Sequence, residues 1–352
     1  TRLWRDCVCE TSIPYSNEST EQNMLWVLAA VIVVIVLLYK WARGTGKDQA
    51  VEGAVFVTGC DSGMGETTAF HLAGTGYHVF AGCYSKDSFS KFESLKNVTG
   101  VQIDVADEDS VAAAADFVKT TIEKSKGAIR GLYGVLQCAG IAYTAPFEYI
   151  PMKSIKRQME VNYFGYVYVT KAFLPLVKAD VLKPGARRGR FAFVSSGPLP
   201  GPGVPFITSY LGAKWAGEAL CQGLRMEMRL RQLPIDCVML SPGVVKPTRL
   251  SVEGEKLLEQ TFAQMPAEAT TEYRDMVNAF CKFQMEEPGT HVSEVGRQME
   301  LIMRHGAPWL RYFVGIDAQA SVLVGLLPTG LREHLLRNTL MMHYKDCPKI
   351  GF

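Results

Sequence analysis

Short apolar runs alternate along most of the chain with longer amphipathic or glycine-rich segments. Six runs after residue 50 are rich in β-branched and aromatic side chains, as buried strands are. They read GAVFVTG (53–59), YHVFAGC (77–83), GVQIDV (100–105), GLYGVLQCAG (131–140), RFAFVSS (190–196) and IDCVMLSPG (235–243). Helical periodicity lies between them, in a segment that ends near Gly76, in 111–124 and in 209–231. This alternation predicts an α/β fold, a Rossmann-type doubly wound parallel sheet in a single domain.

A different apolar pattern lies near the start of the chain, from Met24 to Tyr39. These sixteen residues carry no charge, with Trp26 near one end and Tyr39 and Trp41 at the other. Extended to residue 42, the stretch reaches roughly the 30 Å that a bilayer core requires, and aromatic ends are typical of membrane interfaces. We predict a transmembrane helix over 24–42; a signal-peptide core and a buried helix are the alternatives.

The charges around this segment predict its orientation. Lys40, Arg43 and Lys47 follow it, whereas in the residues before it the acidic Asp6, Glu10, Glu18 and Glu21 outnumber Arg2 and Arg5. The positive-inside tendency then places the remainder of the chain on the cytosolic or matrix side. We expect a single-pass protein of the endoplasmic reticulum or the mitochondrial inner membrane.

Composition narrows the function classes. At 352 residues and 48% hydrophobic, the chain can bury one large core. The 37 basic and 35 acidic residues are dispersed and give a net charge of +2, which argues against a nucleic-acid partner. Nine cysteines without a Cys-x-x-Cys pair, and six histidines away from metal-ligand spacing, predict a reducing compartment and no metal site.

The first turn of the predicted sheet follows a strand, opens a helix and is rich in glycine. Such glycines let the backbone approach a pyrophosphate, and the helix N-terminus offers unpaired N–H groups. A turn kept only for packing is the alternative. We predict a dinucleotide site whose contacts in this turn are Gly59, Asp61, Ser62, Gly63, Met64 and Gly65.

The spacing Thr-Gly-x-x-x-Gly-x-Gly resembles the nucleotide loop of the short-chain dehydrogenases/reductases. Matching motifs follow in the family's order, namely EVNYFG around Asn162, the pair Tyr210-x-x-x-Lys214, and Pro242-Gly243. The segments VTGCDSGMG, GLYGVLQCAGI and TKAFLPLVK resemble the membrane-bound retinol, hydroxysteroid and D-β-hydroxybutyrate dehydrogenase branch. The resemblance extends to about residue 338.

This resemblance implies a catalytic tetrad of Asn162, Ser196, Tyr210 and Lys214. A tyrosine with an ordinary pKa near 10 is too weakly ionised at neutral pH to act as a base. A lysine four residues further along a helix lies on the same face and lowers that pKa. By the family pattern Lys214 also binds the nicotinamide ribose, the serine holds the substrate oxygen, and Asn162 supports a proton-relay water. The alternative is an ordinary surface pair.

The resemblance also assigns cofactor contacts at the ends of the later strands. They are Asp104 and Val105 at the adenine, Ala139, Gly140, Tyr210 and Lys214 near the ribose, and Pro242, Gly243 and Thr248 around the nicotinamide. Cys83 stands at the end of the second strand, where NAD-preferring relatives carry a carboxylate. Neither a carboxylate nor an arginine is found there in the sequence, and the branch favours NAD, with NADP as the alternative.

Two departures from the family pattern concern the site. Gln137-Cys138 replaces an Asn-Asn pair of relatives. The serine of close relatives lies thirteen residues before the tyrosine, a position that Gly197 holds here, whereas Ser196 is fourteen and Ser195 fifteen before it. A one-residue insertion in the proline-rich loop that follows would restore Ser196.

These observations predict a membrane-anchored NAD(P)-dependent oxidoreductase that interconverts a lipophilic alcohol, retinol-like, steroid-like or a hydroxy acid, and its carbonyl. The alternative is a weakly active or inactive accessory subunit of a membrane complex. We expect the bilayer as a partner, and either a homodimer or a place in a larger assembly. The predicted parts are a polar tail (1–23), the transmembrane helix (24–42), a linker (43–50), the catalytic core (51–250), and a substrate lid, last strand and C-terminal helical extension (251–352). For the lid, two surface helices packed on the sheet are the alternative.

Overall fold

The computed structural model describes residues 34, 48–50, 53–197, 203–286 and 289–342. The chain divides into a unit of residues 1–47 and a compact unit of residues 48–352. The predicted tail, the transmembrane segment except Val34, residues 43–47 of the linker, and Pro198, Pro200 and Pro202 lie outside the described residues. Among the helices that are described, none is both long and apolar enough to cross a membrane. The predicted boundary at residue 250 stays a prediction.

A seven-stranded parallel sheet forms the centre of this unit. Its strands are β1 (Ala54–Thr58), β2 (His78–Cys83), β3 (Val98–Gln102), β4 (Leu132–Gln137), β5 (Gly189–Val194), β6 (Ile235–Pro242) and β9 (Arg311–Val314). They lie in the order β3-β2-β1-β4-β5-β6-β9, and every neighbouring pair is parallel. The order reverses between β1 and β4, so a crevice opens there at the carboxyl ends of the strands. The short strands β7 (Val245–Lys246) and β8 (Thr290–His291) form a separate pair.

Helices cover both faces of the sheet. They are α1 (Gly63–Gly74), α2 (Glu108–Lys124), α3 (Met152–Met159), α4 (Gly165–Val181), α5 (Thr208–Leu230), α6 (Arg249–Phe262), α7 (Ala267–Glu286), α8 (Ser293–Arg304), α9 (Ile316–Gly325) and α10 (Thr329–Met342). A π-helical turn, Glu160–Phe164, joins α3 to α4, and a 3₁₀ segment, Lys86–Phe92, follows β2. All residues of β1, β4, β5 and β6 are buried, because helices pack on both of their faces.

The structure confirms the predicted Rossmann-type sheet and adjusts several predicted boundaries, three of which have a local explanation. The third strand ends at Gln102 rather than residue 105, because Asp104 begins a turn in which its carboxylate accepts from the N–H of Ala106 at 3.0 Å. The following helix begins at Glu108 rather than residue 111, since the side chain of Asp107 caps it. The first helix ends at Gly74, and Gly76 has a positive φ of 104° that a helix does not accommodate.

Candidate active site

The loop between β1 and α1 forms a backbone cradle at the crevice. Gly59 has a φ of +72°, and a Cβ there would lie 2.8 Å from the Cα of Ala139. A Cβ on Gly65 would collide with the carbonyl of Gly59. Ser62 begins the helix without a side-chain hydrogen bond to its first turn, so those N–H groups are not capped by Ser62. These features fit the diphosphate of a dinucleotide.

Thr248 lies across the cradle from this loop. A Cβ on Gly63 would be 3.7 Å from the Cα of Thr248. Thr248 is also the N-cap of α6, where its hydroxyl accepts from the N–H of Ser251 at 3.3 Å. The fold therefore brings together two predicted cofactor residues that are far apart in the sequence.

A carboxylate lies at the end of β2, although the sequence of that strand contains none. Asp61 of the glycine-rich loop accepts hydrogen bonds from the N–H groups of Tyr84 at 2.8 Å and Ser85 at 2.9 Å, and from the hydroxyl of Ser88 at 2.9 Å. The side chain of Cys83 is fully buried, and this burial raises the pKa of its thiol to about 12. Cys83 can therefore contact a cofactor only through its backbone. The acidic side chain at the end of β2 is that of Asp61.

The predicted adenine contacts lie at the end of β3. The carboxylate of Asp104 is partly exposed and pairs with Arg157 at 3.3 Å. Val105 is buried, and its side chain lies against Gly165, where a Cβ would be 3.1 Å away. Asp104 thus offers a side chain at the crevice, whereas Val105 offers its backbone.

The loop after β4 is held by contacts that replace those of the family's Asn-Asn pair. The side chain of Gln137 donates to the hydroxyl of Thr170 on α4 at 3.0 Å. The N–H of Ala139 donates to the hydroxyl of Thr58 at 3.1 Å, which ties the loop to β1. Gly140 passes close to the tetrad, because a Cβ there would lie 3.1 Å from Oδ1 of Asn162 and 3.4 Å from Nζ of Lys214.

Asn162 lies in the π-helical turn and supports the same loop. Its Oδ1 accepts from the N–H of Ile141 at 2.9 Å, and its Nδ2 donates to the carbonyl of Ile141 at 2.7 Å. π-helical turns inside α-helices are frequent at functional sites. Both polar atoms of the side chain are engaged in this contact, so a relay role for Asn162 would pass through its backbone.

Tyr210 and Lys214 lie one turn apart on α5, with Ser196 beside them. Burial raises the pKa of Tyr210, and the neighbouring hydroxyl of Ser196 opposes this rise. The Nζ of Lys214 lies 5.7 Å from the centre of the Tyr210 ring. Burial lowers the pKa of Lys214 to about 8, while the nearby carboxylate of Glu218 acts in the opposite direction. The four predicted tetrad residues therefore meet at the carboxyl edge of the sheet.

Ser195 takes part in a different network, which distinguishes it from Ser196. Its hydroxyl donates to the carboxylate of Glu218 at 2.5 Å. Arg311 on β9 pairs with the same carboxylate and donates to the hydroxyl of Ser241 at 2.8 Å. Sequence reasoning missed Glu218, although it lies four residues after Lys214 on the same helix face, a spacing that could have indicated it. Of these two serines, Ser195 is hydrogen-bonded to Glu218, whereas Ser196 lies beside Tyr210.

The C-terminal extension holds the loops at the nicotinamide end. The carboxylate of Asp317 on α9 accepts from the N–H of Val244 at 2.6 Å, and a Cβ on Gly243 would collide with it. The hydroxyl of Ser321 donates to the carbonyl of Gly197, just after Ser196. Sequence reasoning missed both residues, because no motif distinguishes them. The fold thus fastens the serine loop and the Pro242-Gly243 loop to one helix.

An apolar wall borders Tyr210. Its ring packs against a cluster that contains Ile207, Leu211 and Phe280, the last from helix α7. Phe206 has an unusual positive φ of 66° and lies edge-on to Phe280 with ring centres 5.7 Å apart. Positive φ at a bulky residue is strained and tends to occur at functional sites. Helix α7 therefore contributes Phe280 to the apolar cluster beside Tyr210.

The fold and the nucleotide cradle define an NAD(P)-dependent oxidoreductase of the Rossmann class. The chain belongs to the short-chain dehydrogenase family, whose model, described as "short chain dehydrogenase", matches residues 53–257.

Three relatives indicate the branch of the family. The 17-beta-hydroxysteroid dehydrogenase type 6 of Bos taurus is 29% identical over 89% of this chain and 96% of its own length. Retinol dehydrogenase 16 of Homo sapiens is 30% identical over the same shares, 89% and 96%. The mitochondrial D-beta-hydroxybutyrate dehydrogenase of Bos taurus is 35% identical over 54% of this chain and 53% of its own length. The predicted branch is confirmed.

Solved structures share the fold at low sequence identity. A short-chain dehydrogenase/reductase from Burkholderia phymatum in complex with NAD has a TM-score of 0.61 at 16% identity, covering 86% of this chain and 98% of that one. Another from Burkholderia cenocepacia in complex with NADP has a TM-score of 0.58 at 21% identity, covering 82% and 99%.

Proposed function

We propose that this chain is a membrane-anchored oxidoreductase that interconverts a lipophilic alcohol and its carbonyl with NAD. The observation that carries the proposal is the hydroxyl of Ser196 beside the phenol of Tyr210, where it opposes the rise in the tyrosine pKa, with Lys214 one helical turn further on. Two hydroxyls that meet in this way can both reach one substrate oxygen, which acid–base catalysis at that oxygen requires.

The side chains then have distinct tasks. A bound nicotinamide supplies or accepts the hydride. Tyr210 gives its phenolic proton to the carbonyl oxygen in reduction and takes it back in oxidation, while Ser196 donates a hydrogen bond to the same oxygen. Because burial raises the pKa of Tyr210, the phenol is protonated at neutral pH, which favours reduction. Oxidation requires the phenolate, so its rate should rise with pH.

The apolar wall supports a lipophilic substrate. Phe206, Phe280 and Leu211 border Tyr210, and these side chains offer no partner to a charged group. An ionised carboxylate buried against them would lose hydration without compensation. Steroid and retinol substrates, which the names of two relatives carry, suit this wall better than a short hydroxy acid.

Turnover of a small panel tests this function. The full chain in detergent, with NAD at pH 9, should form NADH with a 17β-hydroxysteroid or all-trans-retinol, and more slowly with D-β-hydroxybutyrate. Absorbance at the NADH band is the measurement. A folded protein that binds NADH but oxidises none of the three would favour the accessory-subunit hypothesis instead.

Asp61 supports NAD as the preferred cofactor. Its carboxylate lies at the end of β2, where it is bonded to the backbone of Tyr84 and Ser85. A carboxylate there can accept from ribose hydroxyls and repels the 2′-phosphate of NADP. The neighbouring cation of Lys91 is already paired with Glu66 at 2.9 Å and bonded to the carbonyl of Asp61 at 2.6 Å.

Replacing Asp61 with asparagine should therefore relax the cofactor preference. We expect the ratio of kcat/KM for NAD to that for NADP to fall about tenfold, the effect of roughly 1.4 kcal/mol of lost discrimination. Asp87→Asn is the matched control, because it removes a carboxylate from the adjacent 3₁₀ segment, and it should leave the ratio unchanged. Equal ratios for wild type and Asp61→Asn would refute the assignment.

Membrane anchoring by residues 24–42 remains part of the proposal. The supporting observation is the uncharged apolar stretch itself. The chain re-enters the described unit at the edge of the sheet opposite the site, where the N–H of Arg188, just before β5, donates to the side chain of Gln49 at 2.6 Å. Alkaline extraction should leave the full chain in the membrane pellet and release a variant that starts at residue 43; release of both would rule out the anchor.

A further inference from the structure

A second tyrosine touches Lys214 from a different helix. Tyr166 on α4 is 2% exposed, and its hydroxyl accepts a hydrogen bond from Nζ of Lys214 at 2.9 Å. We propose that Tyr166 is a positioning residue that holds the Lys214 ammonium in place for the cofactor and for Tyr210. This inference rests on the proposed function, because it assigns Tyr166 an effect on the Tyr210–Lys214 pair.

The hydroxyl of Tyr166, the carbonyl of Val194 and Nζ of Lys214 form a closed triangle of hydrogen bonds. The hydroxyl of Tyr166 donates to the carbonyl of Val194 at 2.5 Å, and Nζ of Lys214 donates to the same carbonyl at 2.8 Å. A phenol has one hydrogen to donate. Because Val194 takes that hydrogen, the oxygen of Tyr166 is left as an acceptor for Lys214. The triangle therefore favours the charged form of the lysine.

The triangle also fixes where the lysine can act. An ammonium has three N–H donors, and Tyr166 and Val194 engage two of them. Nζ lies 3.4 Å from the position that a Cβ on Gly140 would take, beside the backbone along which we expect the nicotinamide ribose. One donor is thus left for the cofactor, and the other two resist rotation of the side chain.

The ring of Tyr166 is itself held rigidly. It lies edge-on to Phe193, with ring centres 5.4 Å apart at 77°. On the other side is Gly217 of α5, where a Cβ would be 3.0 Å from the ring. The small residue lets the ring lie between the helices, so the hydroxyl reaches Lys214 without freedom to swing away.

The other titratable groups near Lys214 make the neutral hydroxyl of Tyr166 important for the charge on the lysine. The titratable groups that face Lys214 or Tyr166 are Tyr210, Cys138, Glu218 and Cys221. Burial keeps the pKa of Tyr166 well above its ordinary value, so it stays a phenol. Cys138 has a pKa raised to about 12 by burial and stays neutral, and the charge of Glu218 is shared with Arg311. The ammonium therefore depends on its direct acceptors.

Tyr166→Phe tests the proposal, because it keeps the ring and removes only the hydroxyl. The pKa of Lys214, about 8 in the wild type, should fall by about one unit, the order of effect of one hydrogen bond to a charged group. NADH binding should weaken as rising pH deprotonates Lys214, and we call this part of the pH profile the limb. We expect the limb to move down by about one pH unit. The same shift should appear in kcat/KM for NADH with estrone or all-trans-retinal. NADH fluorescence titrations from pH 6 to 10 measure the limb without turnover.

Tyr168→Phe on the same helix is the control. Its partly buried ring stacks on Phe164, with centres 6.2 Å apart, and this variant should keep the wild-type pH dependence. A Tyr166→Phe protein with the wild-type limb would overturn the proposal, even if its activity fell equally at every pH. Partial unfolding lowers amplitudes but does not move the limb, so the comparison stays decisive. If the wild type turns over no carbonyl, the proposed function fails, while the NADH titration still tests Tyr166.

Discussion

Replacing Tyr210 with phenylalanine is expected to lower kcat for both oxidation and reduction by about 10²- to 10⁴-fold. This is the range that a positioned general acid or base contributes. The variant keeps the ring that packs against Ile207, Leu211 and Phe280, and loses only the hydroxyl that meets Ser196. Steady-state rates with NAD and the best alcohol of the panel measure the loss.

Two controls separate loss of chemistry from loss of structure. The thermal midpoint of Tyr210→Phe should stay close to the wild-type value. Tyr168→Phe removes a tyrosine hydroxyl outside the site and should retain wild-type kcat. If Tyr210→Phe kept more than about a tenth of wild-type kcat, another group would have to carry the proton.

The second large effect is expected for Ser196→Ala, and the adjacent substitution Ser195→Ala is its control. We expect Ser196→Ala to lower kcat about 10²- to 10³-fold, because removal of one donor to a developing oxyanion has an effect of this size. Ser195→Ala should instead lower the free energy of unfolding by about 1.5–3 kcal/mol, since a buried hydrogen bond to the Glu218 carboxylate is lost. Its kcat should change by less than about tenfold.

The reverse pattern would show that the serines have been assigned the wrong way round. A Ser195→Ala variant that is inactive but melts normally, beside an active Ser196→Ala variant, would place the catalytic hydroxyl at Ser195. Equal effects of both variants on kcat and on unfolding would mean that the two hydroxyls act as one network. Kinetics and chemical denaturation on the same preparations distinguish these outcomes.

Much of the fold could be predicted from the sequence because its signals are local. A buried parallel strand is a short apolar run, and the helices between strands repeat their apolar face every three or four residues. The boundaries were less accurate where polar side chains decide them. Asp104 ends β3 and Asp107 begins α2 through short-range hydrogen bonds, which the apolar pattern does not contain.

The site could be predicted only in part, because its decisive contacts join distant residues. Asn162 was implied by the family resemblance, and Tyr210 and Lys214 by that resemblance and by their spacing on one helix. The contact between Lys214 and Tyr166 spans 48 positions, and that between Arg311 and Glu218 spans 93. Asp61 reaches the end of β2 from a neighbouring loop, so the acidic group there was missed by following β2 alone. Spacing along one helix predicts which residues share a face, but not which partner from another element meets that face.

The departures from the family pattern have structural counterparts. Gln137 bonds to Thr170, and Ala139 bonds to Thr58, so the loop after β4 is tied to its neighbours without the Asn-Asn pair. Ser196 meets Tyr210 despite the extra residue between them. These two features were among the sequence arguments for an inactive accessory subunit. With both accounted for, the oxidoreductase proposal is the better supported of the two.

The most direct test of the account is a structure of the full chain with NADH and a bound ketosteroid or retinal. We predict that Ser196 Oγ and the Tyr210 hydroxyl both lie within about 3 Å of the carbonyl oxygen, the reach that proton transfer requires. Ser195 should remain on Glu218, and Lys214 should contact the ribose while still bonded to Tyr166. A Ser196 hydroxyl more than about 5 Å from that oxygen, beyond any hydrogen bond, would contradict the proposed site.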